Sequence, residues 1–268
     1  MQGWYSVSKK LKFSIVTIVL NRKEFIKNAI DCVIAQNYDF FEHIVVDGAS
    51  TDGTLEIASS YPHIKIISEK DNGSVFALNK GLRKISGDIF GWLNSDETYL
   101  PETFNWVSNY FEENPNCDLV FGTSQFVDKH GNILGKTNFR SFDLHKQIIG
   151  LNAISAPSAM FMRRRALDGI GGQANDQWRD AYDHDMWIRV GKKFNIHGVD
   201  RVFSTFALHP DSGMTDDPLR SWREARRIRA HHGGSSRIID RFYWTPYIEL
   251  RILIYRALKW KRMTRKLN

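Results

Sequence analysis

Between Phe13 and Gly122 short apolar runs alternate with stretches whose apolar residues recur at helical spacing, and few architectures accommodate that alternation. Phe13 to Leu20 reads as a buried strand, and Phe25, Ile26, Ala29, Ile30, Val33 and Ile34 then fall on one face of a helix. His43 to Asp47 is the next strand, Thr54 to Ser60 a short helix, Ile64 to Ser68 a strand, Ser74 to Ile85 a helix and Ile89 to Leu93 a strand. Pro101 suits the first turn of a helix running through Phe111, and Leu119 to Gly122 is a further strand. The order predicts an α/β fold with a mainly parallel sheet covered by helices on both faces. After Val127 the texture changes. VDKHGNILG reads as a hairpin turning at Lys129 to Asn132, so the second half is predicted to be α+β and to pack on the same sheet.

Composition narrows the class. A chain of 268 residues, 42% hydrophobic and 13% aromatic, buries a substantial core and is not disordered. Cys32 and Cys117 lack metal-ligand spacing, which points to a reducing compartment. Lys9, Lys10 and Lys12 before Phe13 to Leu20 look superficially like a secretion signal. Ser14 and Thr17 interrupt the run, however, and Asn21-Arg22-Lys23 follows where a cleavage site would stand. No stretch is long and apolar enough to span a bilayer. The net charge of +7 is unevenly placed: residues 219–268 hold 14 basic against three acidic residues, while the first 218 carry a slight acidic excess.

The predicted strands end in polar groups. Strand one runs out at Thr17 to Asn21, strand two at Asp47 before GASTDGT, strand three at EKDNG, and strand four at Asn94, Ser95, Asp96 and Glu97. Each is an ordinary turn by itself, and Asp52 suits a helix cap. Together they line one crevice at the carboxyl ends of a doubly wound sheet, where such folds bind ligands. No G-x-G-x-x-G or P-loop is present, so the phosphates of a bound nucleotide need another partner. A divalent cation held by Asp96 fills that need.

The runs SIVTIVLN (14–21), IVVDGASTDGT (44–54), SEKDNGSVFALNKGLRKISGDIFGWLNSDE (68–97), APSAMFMRRRALDGIGG (156–172) and YDHDMWIRV (182–190) resemble the inverting family 2 glycosyltransferases of the GT-A fold, notably bacterial polysaccharide enzymes. The resemblance implies transfer of a sugar from a nucleotide-sugar, UDP in the first instance, to a glycan or lipid-linked polysaccharide precursor. It implies Mn²⁺ or Mg²⁺ as cofactor. It assigns Thr17 and Asp47 to the base, Asp71 to the base or ribose, and Asn21, Asn94 and Ser95 to the rest of the donor site. Asp96 becomes the metal-binding acid, with Glu97 beside it and His209 near the metal or diphosphate. Asn94 stands where many relatives have the first Asp of this element, and Glu97 where the last acid is commonly Asp.

Inversion requires a carboxylate that deprotonates the attacking hydroxyl. The resemblance puts that base at Asp183, with Asp185 second and Tyr182 where similar enzymes have Glu. On a helix, Asp183 and Asp185 face about 200° apart, so one site receives only one of them.

The expected organisation is a domain over residues 1–218, with a nucleotide-sugar half (13–126) and an acceptor-side half (127–218), and a basic helical tail over 219–268. Wound as a helix, Tyr247 to Arg262 gathers apolar residues on one side and Arg251, Arg256, Lys259 and Arg262 on the other. That pattern suits packing on the domain, or peripheral contact with an anionic membrane that places the enzyme at its cytoplasmic face. Two competing readings are a catalytically inactive relative acting as a scaffold and a nucleic-acid-binding protein using the basic tail. The expectation is an enzyme without a nucleic-acid partner.

Overall fold

A computed structural model describes residues 10–128, 130–150, 153, 154, 156–208 and 218–234. Its centre is a nine-stranded sheet with the order β3-β2-β1-β4-β8-β6-β9-β5, and β7 pairs β6 off that path. The strands are β1 (Phe13–Val19), β2 (Phe41–Asp47), β3 (Ile64–Ser68), β4 (Ile89–Asn94), β5 (Glu97–Tyr99), β6 (Leu119–Val127), β7 (Ile133–Lys136), β8 (Met160–Arg163) and β9 (Ile196–Ala207). The helices are α1 (Lys23–Ile34), α2 (Thr54–Ser59), α3 (Ser74–Leu82), α4 (Thr103–Glu113), α5 (Leu144–Ile148), α6 (Arg164–Gly169), α7 (Tyr182–Gly191) and α8 (Pro218–His231).

The first four strands are parallel, with β2 and β3 on one side of β1 and β4 on the other. The strand order therefore reverses between β1 and β4, where Ile18 lies beside Asn94. An open α/β sheet offers a crevice at such a reversal. β1 is buried along nearly its whole length, as a strand covered on both faces must be. On one face Phe13 stacks on Phe104 of α4 at 4.7 Å. On the other, α3 packs so closely that a Cβ on Gly81 would meet Val16 Cγ1 at 2.4 Å. The predicted second half joins the same sheet: β8 pairs β4 and β6 antiparallel, and β9 runs parallel to β6.

Three boundaries differ from the sequence reading. α4 begins at Thr103, because Pro101 lies in a turn and Glu102 takes a left-handed φ of 62° before the helix starts. β6 continues from Leu119 to Val127. Its polar Thr123, Ser124 and Gln125 look like a turn, but β9 and β7 flank them, and Ser124 shares hydrogen bonds with Ser204 (2.7 Å) and Thr137 (3.0 Å). Third, the opening of the expected basic tail, α8, is built into the body. Ile228 is fully buried in the cluster that holds Met186 and Trp187 of α7. The pattern at Tyr247 to Arg262 lies outside the described residues.

Candidate active site

The carboxyl ends of β1 and β4, the loop after β3 and the start of α7 enclose one open cleft of about 610 Å³. Ile18, Val19, Leu20 and Arg22 come from the end of β1, and Asp71, Gly73 and Ser74 from the loop into α3. Asn94, Ser95, Asp96 and Glu97 follow β4. Arg179, Asp180, Tyr182 and Asp183 form the opposite wall, with Ser221 of α8 beside them.

Asn94 ends β4 and accepts the indole N–H of Trp92 at 2.9 Å, while Trp92 stacks on Tyr182 with centroids 5.4 Å apart. Strand β4 and helix α7 are thus coupled through two rings. The chain then folds back as β5, which pairs antiparallel with β9, so that Glu97 lies beside Phe206. Ala207 N–H donates to the Asp96 carbonyl at 3.0 Å. This return fixes the backbone of Asp96 and leaves its half-buried carboxylate on the cleft wall.

Glu97 is 1% exposed, and its Oε2 accepts the Asn94 N–H at 3.0 Å. Burial, reinforced by the neighbouring Asp96 charge, pushes its carboxyl up to about 8. Its bond to the Asn94 N–H makes Glu97 hold the turn. Among the described residues no group of three His, Cys, Asp or Glu could hold a metal ion unaided. Asp96 fits the way Mg²⁺ and Mn²⁺ are held beside phosphates, through one or two carboxylates with substrate oxygens and water completing the shell. His209 lies outside the described residues.

Across the cleft, Asp183 occupies the first turn of α7, where its Oδ1 accepts its neighbour His184 N–H at 2.8 Å. Burial pushes its carboxyl up to about 6, with the charge of Glu224 acting in the same direction. Asp185 points the other way, as the helical phase requires. It is fully buried, ion-paired to Arg189 at 2.9 Å and bonded to His232 Nε2 at 2.8 Å, and it does not line the cleft.

Asp71, Asn94, Ser95, Asp96, Glu97 and Asp183 are thus brought together, whereas Thr17, Asn21 and Asp47 sit beneath or beside the cleft. Thr17 is fully buried with its Oγ1 2.8 Å from His43 Nε2, and burial lowers that imidazole to about 3, keeping it neutral. Asp47, also fully buried, accepts the Ser50 N–H at 3.1 Å and the Ser68 hydroxyl at 2.7 Å, so it ties the ends of β2 and β3. Asn21 takes a left-handed φ of 51° and accepts the Thr51 N–H at 2.9 Å, bracing the β1 loop on the β2 loop. Asp52, expected as a helix cap, is not the N-cap residue, which is Gly53 for α2 and Arg22 for α1, but its carboxylate serves the first amide of both helices. It accepts Thr54 N–H at 3.0 Å where α2 starts and Lys23 N–H at 3.0 Å where α1 starts.

The sequence reading missed Arg22, Ser74, Arg179, Asp180 and Ser221. Arg179, beside the YDHDMW motif, carried a signal, since a cation there can meet a diphosphate. Ser221 could not have been found, because only folding brings α8 to the cleft.

Comparison with known proteins agrees with this architecture. Residues 14–171 match the family model described as glycosyl transferase family 2. A PGL/p-HBAD biosynthesis glycosyltransferase of Mycobacterium tuberculosis is 31% identical over 186 residues, covering 66% of this chain and 68% of that one. Uncharacterized glycosyltransferases of Rickettsia felis and Rickettsia conorii are 26% identical over 215 residues, and the matches span 35% and 34% of their lengths. The fold is similar to that of S. aureus TarS 1-349 in complex with UDP-GlcNAc, with TM-score 0.66 and 19% identity over 81% of this chain and 65% of that one. It is also similar to the mannosyltransferase PcManGT from Pyrobaculum calidifontis in complex with GDP-Man and Mn²⁺, with TM-score 0.63 and 18% identity over 85% and 66%.

Proposed function

Since the chain belongs to glycosyl transferase family 2 and has the GT-A fold, we propose that it transfers a sugar from a nucleotide-sugar to an acceptor hydroxyl with inversion at the anomeric carbon. The observation that carries this reading is the cleft itself, where Asp71 from the β3 loop, Asp96 from the end of β4 and Asp183 from α7 converge. The three carboxylates come from three separate elements and line one cleft.

The duties divide by position. Asp71 and Ser74 lie at the parallel-sheet end, where Asp71 Oδ1 already accepts the Gly73 N–H at 3.0 Å, and they suit the nucleoside. Arg22 and Arg179 suit the diphosphate by charge. Asp96 would hold a Mn²⁺ or Mg²⁺ ion, which when bound supplies charge neutralisation at the departing diphosphate. Asp183, on the opposite wall, accepts the proton of the incoming hydroxyl. Its raised affinity for a proton suits a base that operates near neutrality, and burial keeps it from being solvated out of reach.

UDP is the proposed nucleotide, supported by the neighbour that binds UDP-GlcNAc, although the neighbour with GDP-Man has the same fold. The proposed acceptor is a glycan or lipid-linked polysaccharide precursor, reached at the inner face of a membrane through the basic segment beyond α8. Among the described residues, no helix is long and apolar enough to cross a membrane. A thermal-shift screen against UDP, GDP, CDP and dTDP sugars with Mn²⁺ tests the donor assignment. A rise in Tm with one nucleotide family, lost in Asp96→Ala, is the expected result, and no shift with any of them contradicts it.

A further inference from the structure

α8 grips the entrance to α7 in a way that an ordinary helix cap does not. Glu224, 9% exposed, accepts three consecutive backbone N–H groups: Arg179 at 2.8 Å, Asp180 at 2.5 Å and Ala181 at 2.7 Å. A capping side chain normally takes the amides of the second or third residue inside a helix. Here Ala181 is the residue at the N-cap of α7 and the other two precede it, so the carboxylate fixes the approach to the helix. Two further links fasten the same elements. Arg220 of α8 forms a two-pronged pair with Asp180, at 2.6 and 2.7 Å, and His232 just after α8 reaches Asp185. Asp183 stands between these anchors. The gripped segment also carries Arg179, Asp180 and Tyr182 to the cleft wall.

We propose that Glu224 is a positioning residue of the transfer reaction, setting the place of Asp183 by holding the three amides that lead into α7. The proposal rests on the reading of Asp183 as the base. Charge-assisted bonds from backbone donors to a carboxylate withdrawn from water are strong and directional, so the segment has one seat. A Gln side chain presents one acceptor oxygen to the three donors and turns an amide nitrogen toward them. The base then loses its fixed distance to the acceptor hydroxyl, and Arg179, whose N–H Glu224 also holds, loosens with it, while the donor groups on β1, β3 and β4 keep their places.

The test compares Glu224→Gln, Asp183→Asn and the double variant in the full chain, with turnover of UDP-GlcNAc or whichever donor the thermal screen identifies. Glu224→Gln should lower kcat about tenfold to a hundredfold, the scale of a small misplacement of a catalytic group, while the donor KM rises by a smaller factor through the loosened Arg179. Adding Glu224→Gln to Asp183→Asn should lower kcat by no more than about twofold further, since a base that is gone cannot be misplaced. Amide hydrogen exchange at 179–181 should speed up about tenfold in the single variant. Losses in kcat that multiply in the double variant, or an unchanged kcat in Glu224→Gln, overturn the proposal. Should Glu224→Gln fail to fold, Glu224→Asp retracts the carboxylate by one methylene while keeping its charge and is judged by the same criteria. Wild-type turnover by Asp183→Asn alone would instead overturn the reading of the base, and this single variant separates the two failures.

Discussion

Asp183 and Asp185 lie two positions apart on one helix and live in opposite environments. One faces the cleft with its proton affinity raised by burial; the other is locked by Arg189 and His232. Asp183→Asn keeps the volume and removes the proton acceptor, so kcat should fall about a hundredfold or more with donor affinity unchanged. Wild-type activity in this variant would refute the assignment. The sign of the pH dependence follows from the same group. Protonated Asp183 cannot take a proton, so kcat/KM should drop as pH falls through about 6 and level off above it, provided donor binding is saturated with metal. A rate that is flat from pH 5 to pH 8 would exclude a base of this affinity. Sequence made Asp183, Asp96 and Asp71 legible because each sits in a short motif whose position at a strand or helix end can be inferred. It assigned Thr17 and Asp47 to the nucleotide base, and the structure turns both inward. Whether a polar group at a strand end faces a ligand or ties two loops depends on hydrogen bonds that only the fold creates, such as Ser68 to Asp47.

At the scale of elements, the site depends on how closely α3 approaches the parallel strands, since the β3 to α3 loop delivers Asp71 and Ser74. Gly81 permits that approach. Gly81→Ala gains a little helix propensity, but its Cβ would lie 2.4 Å from Val16 Cγ1 and 3.2 Å from Val46 Cγ2. Overpacking of this kind costs about 1–3 kcal/mol, so the urea midpoint should fall visibly with the m-value preserved. An unchanged midpoint would mean that α3 shifts freely on the sheet. The alternation of strands and helices was readable up to β4 because each element there has a single period and a polar terminus. From β6 onward it was readable only in part: the start of β6 and its hairpin with β7 were foreseen, the rest was not. β6 carries Thr123, Ser124 and Gln125 in its interior, and only pairing to β9 and β7 makes those residues a strand. α8 was expected only as the opening of a basic helical tail, yet Ile228 and Glu224 are buried in the body.

For the whole molecule, the slightly acidic first 218 residues and the strongly basic remainder are joined at α8, which forms part of the cleft wall through Ser221. A basic segment beginning beside the active site would bring it to an anionic surface, where each nearby Lys or Arg is worth about 1 kcal/mol. The chain should therefore sediment with phosphatidylglycerol vesicles at low salt and be released at high salt. Truncation before Arg241 leaves α8 in place and should abolish sedimentation while donor hydrolysis continues. Unchanged sedimentation after truncation would remove the membrane role from that segment. The central claim is that one cleft unites a metal-assisted donor site with a carboxylate base. Its most direct test is UDP release from UDP-GlcNAc, or from the sugar-nucleotide selected by thermal shift, by wild type, Asp96→Ala and Asp183→Asn with Mn²⁺ and with a chelator. Release by the wild type should stop with the chelator, Asp96→Ala should be inactive at any metal concentration, and Asp183→Asn should bind donor but turn over about a hundredfold more slowly. Equal rates for all three proteins, or release that ignores the chelator and both substitutions, would contradict the account.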